Sequence, residues 1–168
     1  MTSTHATEHW HIAYTLPRHE KAIAMRLKVE EIPCYVPLYL ETRTWRERGV
    51  KLELPLFPCY VFAKMTPRNR IRLLSAPGVI RLLTASGVPV VFPDEEMEAL
   101  QSTLKDWSAR PCPFHNSGKR IRLTSGPFAG LEGTIQRRNG KRKLIVTLDL
   151  INSSMSLDID AADTQLSM

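Results

Sequence analysis

The sequence predicts an α+β fold in which an N-terminal antiparallel sheet is flanked by helices and followed by a small all-β barrel. Residues 10–107 alternate between short strand-like runs and stretches with helical spacing of apolar residues. Residues 118–168 contain only strand-like runs, separated by turn residues. Between them, residues 109–117 (ARPCPFHNS) carry two prolines and no periodicity, which is typical of a linker. We therefore predict domains at residues 1–108 and 118–168, joined by the linker.

The first half of the N-terminal domain begins with a strand at residues 10–15 and a helix at about residues 18–31, which Pro33 ends. Residues 34–44 return to strand character, although Pro37 interrupts them and favours an edge or bulged strand. The segment WRERGVK then predicts a polar turn that pivots at Gly49.

The second half opens with the strand-like run at residues 59–65 and a short helical stretch after Pro67. Further extended runs follow at residues 79–83 and 88–92. The last helix has acidic residues in its first turn, where the helix dipole favours them. Its apolar positions follow helical spacing: Met97, Leu100, Leu104 and Trp107.

The C-terminal domain has five short strand runs, the last of them at residues 163–167. Asn139-Gly140 predicts a two-residue hairpin, because a type I′ turn needs positive φ at both central positions. The predicted core consists of apolar residues from these runs: Ile121, Leu123, Ile135, Ile145, Val146, Leu148, Leu157 and Ile159.

Composition favours a soluble cytoplasmic protein without a membrane segment or cofactor. Apolar residues make up 43% of the 168 and charged residues 24%, close to the globular average. The longest nearly apolar run, residues 54–63, is far shorter than the roughly 20 residues that a spanning helix needs. Cys34, Cys59 and Cys112 form no C-x-x-C pair, which favours a reducing compartment over disulfides or a zinc site.

Charge suggests a polyanionic partner. The chain has 23 Lys and Arg against 17 Asp and Glu, a net charge of +6, and basic residues dominate residues 43–51, 68–72 and 137–143. We expect the five positive side chains around Asn139-Gly140 to converge on one tip of the barrel. The alternative is that these are solvated loops, which are common in proteins that bind nothing specific.

Gly118–Ile135 consists of a strand, a Gly-Pro-Phe-x-Gly loop and a second strand. It resembles a KOW motif, which opens an SH3-like barrel in ribosomal proteins and transcription elongation factors. We expect Gly130 and Gly133 to allow positive φ and Phe128 to fold over the barrel mouth. The motif positions are Gly126, Pro127, Phe128, Gly130 and Gly133.

The N-terminal domain carries Trp10, the run Pro17–Lys21 (PRHEK), the run Pro55–Phe62 (PLFPCYVF) and Pro77-Gly78-Val79. In this order they resemble the N-terminal domain of the NusG family, so that the resemblance covers nearly the whole chain. The run PRHEK and residues 45–48 (WRER) are most similar to specialised paralogs of the RfaH or UpxY kind, which are associated with polysaccharide operons.

Two positions depart from the family. Cys59 stands where the family commonly has Gly, which suggests a different local backbone. Ile151 stands near the place where housekeeping members carry an aromatic residue that engages Rho or ribosomal protein S10, so the resemblance leaves those two partners open.

The resemblance implies a monomeric factor that bridges RNA polymerase from the β′ clamp helices to the β lobe. Its apolar patch would be Phe57, Pro58, Tyr60 and Phe62, with pure core packing as the alternative reading and the better one for Phe62. Non-template DNA or nascent RNA would be bound by basic side chains: Arg18, His19, Lys21, Arg46, Arg48, Lys51, Arg137, Arg138, Lys141 and Arg142.

No catalytic motif is present, so we do not expect an enzyme. His5, His9 and His11 lack matching carboxylates or thiols and favour a surface role over metal binding. Cys59 lies in an apolar run, which favours a core thiol over a reactive one. The alternative functions are a housekeeping NusG and a ribosomal or RNA-binding KOW protein.

Overall fold

The structure is a computed structural model and describes residues 7–159. In chain order its elements are β1 His9–Thr15, α1 Glu20–Val29, β2 Cys34–Tyr35, β3 Leu38–Trp45, β4 Arg48–Pro55, β5 Tyr60–Met65, α2 Arg70–Leu74, β6 Val79–Leu82, β7 Thr84–Ala85, β8 Val88–Pro89, α3 Asp94–Asp106, β9 Ala109–Cys112, β10 Ile121–Arg122, β11 Glu132–Arg138, β12 Lys141–Leu148 and β13 Ser153–Ile159. The mixed helix and sheet content confirms the predicted α+β class.

The chain folds into two compact units. The first comprises the described residues up to Val36 together with Pro58–Met97, and the second comprises Pro37–Phe57 together with the described residues from Glu98 onward. These units are not sequential halves, because the β3–β4 segment belongs with the C-terminal part. The division into domains at residues 109–117 stays a prediction.

The first unit is built on an antiparallel sheet of order β2-β5-β1-β6. Ile23 and Leu27 of α1 are buried four residues apart, as the helical spacing predicts. They pack into one core with Ile32, which follows α1, and with residues of β1, β5, α2 and β6: Ala13, Val61, Ala63, Met65, Leu73 and Leu82. This core fixes where the ends of β1 and β5 present their side chains.

The second unit contains the hairpin β3–β4, and its turn corrects the prediction for Gly49. The turn residues are Arg46 and Glu47, with φ of 47° and 64°, and Trp45 lies opposite Arg48. A two-residue hairpin turn needs positive φ at both central positions, and these two residues supply it. Gly49 instead lies within β4, opposite Thr44.

The C-terminal sheet, also in the second unit, has five antiparallel strands in the order β10-β11-β12-β13-β9. The predicted turn is confirmed, since Asn139 and Gly140 have φ of 51° and 74°. The first residues of the predicted linker, in contrast, form β9, which pairs with β13. Because β9 is an edge strand, it tolerates Pro111, whose missing N–H breaks no ladder.

Six of the eight predicted core residues of this sheet are buried, whereas Ile121 and Ile135 are half-buried. Leu144 and Val146 lie on the face that also buries Leu157, while Ile145 is buried on the opposite face. The predicted strand at residues 163–167 lies outside the described residues.

Candidate functional site

The PRHEK run is tied to the turn before β5. Glu20, the first residue of α1, is only 2% exposed, and its Oε1 accepts a hydrogen bond from the backbone N–H of Cys59 at 2.7 Å. A charge-assisted bond of this kind is stronger than one between neutral groups. Glu20 therefore joins two segments that both resemble the family.

Cys59 adopts the left-handed conformation, with φ of 69°. The family commonly has Gly at this place, and glycine is the residue that takes this conformation without strain. The backbone thus keeps a glycine-like conformation although the residue differs. Burial, and next the negative charge of Glu20, raise the pKa of the Cys59 thiol. The half-buried thiol is therefore not a core side chain, but it is not an activated nucleophile either.

His19 is held in position by its neighbours. A ring nitrogen, Nδ1, lies 3.0 Å from the carbonyl oxygen of Pro17. The ring also packs against Gly78, where an added Cβ would come within 2.7 Å of the His19 Cδ2. Arg18 and Lys21 on either side of the pair His19-Glu20 are exposed.

The predicted apolar patch at residues 57–62 is largely buried. Phe57 is 1% exposed and Phe62 is 0% exposed, and the Phe62 ring packs edge-on against Phe92 at 5.2 Å between centroids. Neither phenylalanine presents an exposed surface, because both are packing residues. Pro58 is exposed and Tyr60 is half-buried.

Tyr60 belongs to an aromatic cluster that the sequence did not reveal. Tyr60 lies directly opposite Tyr14 on β1, with ring centroids 5.6 Å apart. The guanidinium of Arg81 lies 5.6 Å from the centroid of the Tyr14 ring, within reach of a cation–π contact. Burial is the main cause that raises the pKa of Tyr60. Pairing between β1, β5 and β6 assembles this cluster. Its members are far apart in the sequence, so no local motif predicts it.

The β3–β4 hairpin presents its predicted basic residues to solvent. Arg46, Arg48 and Lys51 are exposed. Trp45, directly opposite Arg48, is 70% exposed. An exposed indole beside a cation can stack on a nucleobase or contact a protein.

The basic hairpin β11–β12 carries its five positive side chains close to the Asn139-Gly140 turn, on two faces of the sheet. Arg137 pairs with Arg142, and Arg138 pairs with Lys141. Because successive residues of a strand point to opposite faces, Arg137 and Arg142 share one face. Arg138, Lys141 and Lys143 share the other.

The glycines of the KOW motif agree with the prediction only in part. Gly126 and Gly130 have φ of 83° and 91°, and Phe128 is buried with its ring 4.8 Å from that of Trp107. Gly133 does not take positive φ. It is needed for space, since an added Cβ would lie 2.4 Å from the Ile145 carbonyl oxygen.

Ile151, which the resemblance places near the aromatic position of housekeeping members, is buried, whereas the preceding Leu150 is 44% exposed. Within residues 7–159 no three His, Cys, Asp or Glu side chains cluster as metal ligands would, and His5 lies outside that range. The helices of the same range are all too short or too polar to cross a membrane.

Comparison with known proteins identifies both parts of the chain. Residues 8–101 match the family described as "Transcription termination factor nusG", and residues 117–149 match the KOW motif. The protein named "Transcription termination/antitermination protein NusG" of Rickettsia bellii (strain RML369-C) is 22% identical over 166 residues, which cover 91% of this chain and 87% of that protein. The protein of the same name from Vibrio parahaemolyticus serotype O3:K6 is 26% identical over 89% of this chain and 84% of its own length.

The fold is similar to that of a solved structure titled "Domain interaction in Thermotoga maritima NusG". The TM-score is 0.56 at 19% identity, over 94% of this chain and 96% of that one.

Proposed function

Because the chain belongs to the NusG family of transcription termination and antitermination factors, we propose that it binds RNA polymerase and promotes processive transcription of a small set of long operons, polysaccharide clusters among them. It acts in the cytoplasm, as a monomer and without catalysis. By bridging the β′ clamp helices and the β lobe it favours the closed, pause-resistant polymerase, through higher affinity for that state.

The observation that carries the polymerase contact is the aromatic cluster at the end of β1 and β5. Tyr60 and Tyr14 pack together beside the exposed Pro58. A half-exposed aromatic surface next to a proline suits a partner helix, which needs apolar anchors in a shallow groove. Phe57 and Phe62 are buried and do not contribute to this surface.

Two further observations support a specialised role. The runs PRHEK and WRER are most similar to specialised paralogs, and Ile151 replaces the aromatic residue of the housekeeping factor with a buried aliphatic one. The basic hairpin β11–β12 and the exposed tip of β3–β4 contact non-template DNA or nascent RNA, and the C-terminal sheet recruits a second partner, for example the ribosome.

The experiment that tests this function is chromatin immunoprecipitation of the full chain beside that of RNA polymerase. We expect the two to coincide over one or a few long operons. Tyr60→Ser should abolish this occupancy, whereas Tyr60→Phe, which keeps the ring, should retain it. Substitution of Phe57 is unsuitable, because a polar residue at a buried site would unfold the protein.

Occupancy over most transcribed genes would instead support a housekeeping factor. Failure to co-purify with core RNA polymerase would favour the ribosomal or RNA-binding KOW alternative. Full occupancy by a folded Tyr60→Ser variant would remove the clamp contact from Tyr60.

A further inference from the structure

A pocket of about 300 Å³ lies on one face of the C-terminal sheet. Six of the residues that line it carry the groups suited to a ligand: Phe114, His115, Gln136, Arg138, Lys143 and Ile145. The size is at the lower end of the range for small-molecule sites. All six belong to the second unit, so the pocket is complete within it.

Strand alternation places the polar residues of the pocket on one face. Gln136 of β11 lies directly opposite Lys143 of β12. Arg138 and Ile145 are each two residues further along their strands and therefore share this face. Ile145 is 5% exposed although its face is not the core face, so it forms an apolar floor. The pair Arg137 and Arg142 points away to the other side.

The segment after β9 forms the wall of the pocket, and hydrogen bonds fix its position. The N–H of His115 donates to Ser154 Oγ at 3.1 Å, and the hydroxyl of Thr147 donates to the carbonyl oxygen of His115 at 2.8 Å. Thr147 has then used its proton, so Ser154 is the donor in the 2.8 Å contact between the two hydroxyls. The closed ring of three bonds holds residue 115 against β12 and β13.

This anchored segment leaves an aromatic ring and planar polar groups available at the pocket. Phe114 lies between a proline and the anchored His115, and its side chain is 43% exposed. The amide nitrogen of Gln136 lies 2.9 Å from His115 Nε2. Amide and imidazole groups of this kind can donate to or accept from the edge of a base. Lys143 is paired with the exposed Asp158 only at 3.6 Å, a contact worth little in water.

We propose that this pocket binds one nucleotide of a single-stranded nucleic acid. The base stacks on Phe114 and meets Gln136 and His115 with its edge, while Arg138 and Lys143 hold the adjacent phosphates. A stacking ring beside a basic groove is the combination by which proteins hold single strands. The inference rests on the proposed contact between the basic hairpin and nucleic acid, and it assigns that contact to one face of the hairpin.

The test measures binding of the full chain to fluorescently labelled ten-nucleotide single strands by anisotropy, with ribo- and deoxyribo-oligonucleotides of the same sequence. Phe114→Ala should weaken binding by about tenfold, the loss typical of a stacked base, and Phe114→Trp should restore it. The melting temperature should not change, because Phe114 lies at the surface. Tighter binding of one backbone identifies RNA or DNA as the natural strand.

Two double variants of equal charge separate the pocket from general electrostatics. Arg138→Gln with Lys143→Gln removes the pocket cations, and Arg137→Gln with Arg142→Gln removes the same charge from the other face. The first should make the slope of log K against log salt concentration shallower by about 1.4, that is roughly 0.7 for each lost phosphate contact. The second should change both affinity and slope much less.

Equal losses in the two double variants, or unchanged affinity in Phe114→Ala, would overturn the pocket and leave a general basic contact. If the parent chain binds neither oligonucleotide, the nucleic-acid contact of the C-terminal sheet is wrong as well. Polymerase occupancy in the immunoprecipitation experiment is independent of that result, so failures of the two proposals can be told apart.

Discussion

Glu20 of the PRHEK run in the first unit and the basic side chains of the hairpin β11–β12 in the second unit have different surroundings. In the first unit, Glu20 and His19 of the PRHEK run are committed to hydrogen bonds and packing. In the second unit, the hairpin β11–β12 places like charges opposite each other, and Arg137, Arg138 and Lys141 are exposed, whereas Arg142 and Lys143 are half-buried. A polar run is therefore structural where its groups meet buried partners, and available for binding where the fold leaves its charges facing solvent.

The largest expected effect on stability comes from removing the buried carboxylate of Glu20. Glu20→Ala leaves the backbone N–H of Cys59 without its acceptor and should lower the free energy of unfolding by about 2 kcal/mol. Glu20→Gln keeps an acceptor oxygen and should cost about 1 kcal/mol. Urea denaturation measures both. A Glu20→Ala variant as stable as the parent would show that this bond is not structural.

The sequence predicts such elements well where the signal is local. The helices α1 and α3 follow from apolar spacing, and the turn at Asn139 follows from its φ requirement. Strand β9 is missed, because its partner β13 lies more than forty residues along the chain and prolines mask its strand character. The candidate site also has some features that follow from local sequence and others that only tertiary pairing determines.

Exposure of Arg46 or Arg138 is predictable from composition, since charged side chains are rarely buried. The pairing of Tyr14 with Tyr60 depends on tertiary register and leaves no local trace in the sequence. The burial of Phe57 is equally hard to predict, because an alternating aromatic run does not indicate which of its faces is covered.

A smaller effect on stability is expected at Cys59, where it tests the cost of the left-handed backbone conformation. A non-glycine residue in the left-handed conformation costs about 1–2 kcal/mol, and Cys59 has this conformation. Glycine removes the cost but adds about 0.4–1 kcal/mol of unfolded-state entropy. Cys59→Gly should therefore stabilise the protein by about 0.5 kcal/mol in urea denaturation. Cys59→Ala is the matched control and should show no gain, since its Cβ keeps the strain; equal gains in both would mean that the thiol itself destabilises.

The smallest expected effect tests what the paired like charges of the hairpin β11–β12 cost in stability. Arg137 and Arg142 are directly opposite on β11 and β12, and like charges in this position are destabilising by a few tenths of a kcal/mol. Arg137→Glu replaces repulsion by attraction and should raise the free energy of unfolding by about 0.3 kcal/mol. Arg142→Glu should do the same.

The charge swap of both residues provides the decisive comparison. Arg137→Glu with Arg142→Glu restores a like-charge pair, now acidic, so both gains should vanish although each substitution is stabilising alone. Non-additivity of this kind isolates the interaction between the two side chains from other effects of each substitution. It should shrink in 1 M salt, where the Debye length is about 3 Å. Additive gains would mean that the two guanidinium groups do not repel each other. The hairpin would then hold its charges at no cost to stability, and the contrast with the buried Glu20 would rest on exposure alone.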